Sequence, residues 1–105
     1  MRGWVGLGLV AALLLAGPAE AAPRTHVVVM EKMKFQSVPP SVGRGDTILW
    51  ENRDMFRHTA TAKNGAFNVD LAPGAKGKTV VRKAGEVAFV CKYHPGMRGV
   101  LKVVQ

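Results

Sequence analysis

The stretch Cys91-Lys92-Tyr93-His94-Pro95-Gly96-Met97 places a thiol, an imidazole and a thioether at intervals of three residues, in a loop tightened by Pro95 and Gly96. Cys91 closes the apolar run Val87–Cys91, so the loop leaves the end of a strand and can turn all three side chains toward one point. A fourth ligand must come from elsewhere in the chain. His58 opens another strand just after the polar turn Asn52-Arg53-Asp54. Two imidazoles, one thiolate and a weak axial thioether form the ligand set of a blue-copper electron-transfer site, where soft sulfur suits Cu(I) and imidazole suits both oxidation states. Zinc would not need Met97.

Taken singly, each residue has an ordinary explanation. A cysteine after an apolar run packs as a small hydrophobe, a histidine caps a surface, and a methionine fills a core. Their coincidence in one loop outweighs those readings, because a free thiol in an exported chain stands in an oxidising compartment. One cysteine makes no internal disulfide, no thiolate zinc cluster and no Cys-x-x-Cys redox pair.

The elements that must position these ligands are strands. Thr25–Met30, Thr47–Asn52, His58–Ala62, Ala66–Leu71, Lys78–Lys83, Val87–Cys91 and Gly99–Val104 are short runs rich in Val, Ile, Thr, Phe and Trp. Pro39-Pro40, Gly43 to Asp46, Asn64-Gly65, Pro73-Gly74 and Ala84-Gly85 separate them as turn signals, and no stretch carries a convincing helical period. The pattern predicts an all-β fold, a two-sheet Greek-key β-sandwich.

Residues 1–21 read as a secretory signal. Met1-Arg2 is the positive start, Gly3 to Gly17 is apolar but shorter than the ~20 residues a membrane span requires, and Ala19-Glu20-Ala21 supplies small residues at the cleavage positions. Residues 22–105 then form a single domain in the periplasm, with no stable membrane insertion after cleavage. A two-domain enzyme does not fit in 105 residues. The chain carries 15 Lys+Arg against 7 Asp+Glu, for a net charge of +8, and losing Arg2 and Glu20 leaves that charge unchanged. The basic residues are scattered singly without aromatic interleaving, which argues against nucleic acid as a partner.

From about Met33 to Val104 the sequence resembles the cupredoxins, the type 1 blue copper proteins, and most closely their amicyanin branch over the plastocyanins. The resemblance rests on Phe35 through Pro39, Gly45-Asp46-Thr47, Trp50 to Asp54, His58, and Cys91 to Gly99, with the short C-x2-H-x2-M loop as its specific part. It implies one copper per chain on His58, Cys91, His94 and Met97, with electron exit through the His94 edge. It also implies a backbone N–H from the residue after the first histidine to the thiolate, and a side chain there that ties the two ligand loops. That residue is usually Asn in this branch and is Thr59 here, which keeps the N–H and puts the tie at issue. Arg57 and Tyr93 stand where prolines commonly precede the two histidines.

The expected function is a monomeric one-electron carrier cycling Cu(II)/Cu(I) between redox partners. The alternative is a copper carrier or buffer that hands the ion to an apo acceptor. Catalysis is not expected, since four protein ligands leave no open position. Arg53, Arg57, Lys92 and Arg98 lie near the ligands in sequence, so a partner with an acidic docking surface is expected, and the Tyr93 N–H is expected at the Cys91 sulfur. Met55 reads as part of an apolar docking patch and Phe56 as core; His26 reads as exposed, Met30 and Met33 as core, and Arg44-Gly45-Asp46 as a turn.

Overall fold

A computed structural model describes residues 22–105; the signal segment expected at 1–21 lies outside the described residues. Those residues form β1 (Thr25–Glu31), β2 (Lys34–Gln36), β3 (Val42–Gly43), β4 (Thr47–Asn52), β5 (His58–Ala62), β6 (Asn68–Leu71), β7 (Lys76–Val80), β8 (Gly85–Val90) and β9 (Arg98–Val104). They make two sheets, β2-β1-β4-β7 and β3-β9-β8-β5-β6, as expected of a cupredoxin-like sandwich. Both sheets are mixed: β1 runs parallel to β4, and β3 parallel to β9. No helix among the described residues is long and apolar enough to cross a membrane.

Strand alternation builds the core. In β4, Ile48, Trp50 and Asn52 point inward and are buried, while in β9 Leu101 and Val103 do so. Phe89 on β8 sits between them, its ring edge-on to Trp50 at 5.3 Å and to Phe35 at 4.8 Å. A Cβ on Gly99 would lie 2.5 Å from the Phe89 ring, so this cross-strand partner of Phe89 must be glycine. Trp50 pairs with Gly77 across the β4–β7 ladder, where a Cβ would crowd Val69 and Leu71, and its indole N–H donates to Thr79 Oγ1.

β2 and β3 had no counterpart among the expected strands, and β7 begins and ends earlier than the Lys78–Lys83 run. The Val81 N–H leaves the ladder to donate to Asp46 O, and Val81 O accepts from Gly45, whose φ of +96° suits glycine in this turn. Met30 is fully buried, but Met33 is exposed at the positive-φ turn between β1 and β2.

His26 departs from its exposed reading, because its Nε2–H donates to Asp46 Oδ2 at 2.8 Å. The buried Asp46 carboxylate also accepts the N–H groups of Arg24 and Gly43. These bonds, the one from Arg24 foremost, lower its pKa from 3.8 to about 2. Because the folded-state value is depressed, the stabilisation is complete above the unfolded value and is lost as pH falls from about 4 through about 2. Asp46→Asn should therefore cost about 2 kcal/mol at neutral pH, and the difference from the unsubstituted protein should shrink in acid. Urea midpoints measured across that range check this; a gap that stays constant into strong acid would show that the charge is not its source.

Candidate metal centre

Cys91 lies just past the end of β8, and its buried thiol is free. The Cys91 N–H donates to Met97 O and the Met97 N–H to His94 O, so the ligand loop closes on itself as Cys-to-Met spacing of this length allows. Sγ stands 3.7 Å from His58 Nδ1 and 3.6 Å from His94 Nδ1. One donor atom from each of the three residues lies within 4.8 Å of the others, and the two imidazole centroids are 4.9 Å apart. Met97, also expected as a ligand, is buried in the same loop and joined to it through its backbone bonds to Cys91 and His94.

His58 is fully buried at the start of β5, and its remaining nitrogen is accounted for. Nε2–H donates to Asp54 Oδ2 at 2.8 Å, which leaves Nδ1 as the lone-pair side facing Sγ. The His58 bond first, and then the Met33 N–H, hold the Asp54 carboxyl below its usual range. Asn52 sets the path between them: its Nδ2 donates to Phe56 O and Leu71 O, and its Oδ1 accepts the Asp54 N–H. The donor set fits a thiophilic metal, with a thiol and two correctly turned imidazoles gathered where water is largely excluded.

Thr59 fulfils both roles at issue. Its N–H donates to Cys91 Sγ at 3.3 Å, and its Oγ1 accepts the Lys92 N–H at 2.9 Å, tying the two ligand segments together. Thr59 and Thr61 hydroxyls continue the chain to Asn68. Among the described residues no hydrogen bond joins the Tyr93 N–H to Sγ; the Tyr93 side chain instead donates to Asp70 Oδ2.

The His94 side of the site reaches the surface. Met55 is 80% exposed, as expected of a patch, but Phe56 is 50% exposed and meets the His94 ring edge-on, so it belongs to the rim and not the core. Its carbonyl is held by Asn52, which leaves the ring outside. Arg53 pairs with Glu51 and Arg57 with Asp70, whereas Lys92 and Arg98 form no ion pair among the described residues. The roles of Asp54 and Asp70 had no signal in the sequence beyond proximity, for a lone carboxylate on a polar turn or edge strand carries no period.

A cupredoxin-like domain profile matches residues 5–103. The chain belongs to the cupredoxin-like family. This cupredoxin is 30% identical to the amicyanin of Paracoccus versutus over 88 residues, which cover 78% of this chain and 64% of that protein. It is 31% identical to the Paracoccus denitrificans amicyanin over 91 residues, covering 81% and 70% respectively. Its fold superposes on the Cu(I) form of an amicyanin variant with a TM-score of 0.69 and 27% identity, covering 81% of this chain and 87% of the other.

Proposed function

We propose that this cupredoxin is an exported, periplasmic one-electron carrier in which His58, Cys91, His94 and Met97 would hold one copper ion. The observation that carries this reading is the convergence of Cys91 Sγ, His58 Nδ1 and His94 Nδ1 around a thiol that already accepts the Thr59 N–H. Bound copper supplies the Cu(II)/Cu(I) couple. The chain does the rest. Asp54 fixes the His58 tautomer and ring plane, Thr59 stabilises negative charge on sulfur, and the Thr59–Lys92 bond holds the loops at constant separation. His94, half-buried with the exposed Phe56 ring edge-on to it, is the edge through which an electron leaves. Four side chains around one metal leave no position for a substrate, so no enzymatic turnover is assigned.

Titration with Cu(II) should end at one equivalent and produce an intense visible thiolate band that bleaches and returns through repeated reduction and oxidation. Rapid loss of Cu(I) to an apo acceptor during that cycle would favour the alternative of a copper carrier or buffer.

The partner is read as a protein with an acidic docking surface, meeting a monomer. With Arg53 and Arg57 paired, the steering field falls to Lys92, Arg98 and the overall charge of +8. Electron transfer to the partner should slow as salt is added, since the screening length is about 10 Å at 0.1 M. Lys92→Glu should weaken that dependence and leave the visible spectrum nearly unchanged. A rate that is flat or rising with ionic strength would leave the apolar rim as the whole docking surface.

A further inference from the structure

We propose that Arg57, Asp70 and Tyr93 form a clamp that sets the separation of His58 and His94 from outside the site, before any metal binds. Asp70 lies on β6 directly opposite Thr59, the residue after the first ligand histidine. Its two carboxylate oxygens serve different segments: Oδ1 accepts from Arg57 Nε at 2.7 Å and Oδ2 from the Tyr93 hydroxyl at 2.7 Å. Arg57 immediately precedes His58, and Tyr93 immediately precedes His94. One carboxylate on a paired strand therefore grips both ligand-bearing segments at the position next to each imidazole. The bonds from Tyr93 and then Arg57, with Lys92 nearby, keep Asp70 ionised below the usual carboxylate range.

An isolated surface ion pair contributes little, because two long side chains must be ordered for one contact. Here the ordering is largely done by other bonds. Arg57 stands between Phe56, held by Asn52, and His58, held by Asp54; Tyr93 follows Lys92, held by Thr59. The Thr59–Lys92 bond ties the loops on the inner side, and Asp70 ties them on the outer side. Together they leave the histidine spacing little freedom, so the ligand set is preorganised and not gathered by the metal. The clamp makes Asp70 and Tyr93 positioning residues, and it rests on the reading of His58 and His94 as metal ligands.

The test uses Asp70→Ala, the conservative Asp70→Glu, and Tyr93→Phe, all at exposed positions. In the metal-free protein, hydrogen exchange at the hydrogen-bonded amides of Lys92 and Met97 should quicken about fivefold in Asp70→Ala, the scale of one modest charge-assisted bond. Phe89 and Leu101 should keep their protection. In the copper-loaded protein the ratio of the visible thiolate bands should change in Asp70→Ala, change less in Tyr93→Phe, and return toward the original in Asp70→Glu. Unaltered exchange in Asp70→Ala, a rise spread evenly over both sheets, or an unmoved band ratio would overturn the clamp. Absence of any thiolate band in the unsubstituted protein is a different failure, that of the ligand reading, and shows before a variant is made.

Discussion

Cys91→Ser should abolish the intense visible absorption expected of the copper-loaded protein, because that band would be a charge transfer from the thiolate and serine supplies no sulfur. The substitution changes one atom at a buried position whose surroundings already include an N–H donor, that of Thr59, so the fold survives it. Copper affinity should fall by more than the roughly 10–100-fold that altering an outer-shell partner costs, since here the soft ligand itself is removed. Spectral titration of both proteins checks this, and retention of the colour by the serine variant would refute the assignment of Cys91. Met97→Leu preserves volume and should cost less than about 1.5 kcal/mol of stability. It should keep the copper and raise the potential, because an axial thioether helps stabilise Cu(II) and a hydrocarbon does not. An unchanged potential would remove Met97 from the axial position.

Asn52→Leu has the largest expected effect on the fold. The Asn52 side chain is 1% exposed and makes all three of its hydrogen bonds to backbone, at Phe56 O, Leu71 O and the Asp54 N–H. Leucine fills the space and leaves those groups unpaired, at about 1–3 kcal/mol for each that water does not reach. Summed over the three groups the loss is at least about 3 kcal/mol, which in a domain of this size lowers Tm by about 12 °C or more. Since residues 53–57 lose their anchor, the Asp54–His58 bond loosens as well, and the thiolate band should broaden at temperatures where the variant is still folded. Calorimetry and the visible spectrum read the two effects separately. A loss below about 1 kcal/mol would mean that water or a rearranged turn replaces the asparagine.

The candidate ligand loop was legible because it is local: Cys91, His94 and Met97 sit within one turn-bounded segment. The alternation of Ile48, Trp50 and Asn52 in β4, or of Leu101 and Val103 in β9, was legible because a half-buried strand writes its period into the chain. β2 and β3, with three and two residues, are too short to write one. β7 was misplaced toward Val80-Val81 because its own residues, Lys76 to Val80, include a glycine and two lysines. That glycine is explained only by the folded packing, since a Cβ there would lie 3.0 Å from the Val69 side chain and 3.2 Å from that of Leu71. Phe56 was read as core by its type, but the Asn52 side-chain bond holds its carbonyl inward and the ring is left 50% exposed. The Thr59 hydroxyl tie and the Asp70 carboxylate join residues far apart in sequence, so only the folded register brings them into contact.

β9, the last of the described strands, lies between β3 and β8, with Val42 paired to Val103 and Phe89 to Gly99. Neither neighbour can be locked in its final place until the C-terminal residues have arrived, and the parallel pairing to β3 closes a loop that spans most of the domain. Such non-local ladders make folding slow, on the scale of milliseconds to seconds for β-sandwiches, and concentrate cooperativity in the closing step. The loop carrying Cys91, His94 and Met97 joins β8 to β9, so a partly synthesised or truncated chain lacks the ladder that closes this loop beside His58. Metal capture in the correct geometry is thereby made a late event, conditional on a finished fold.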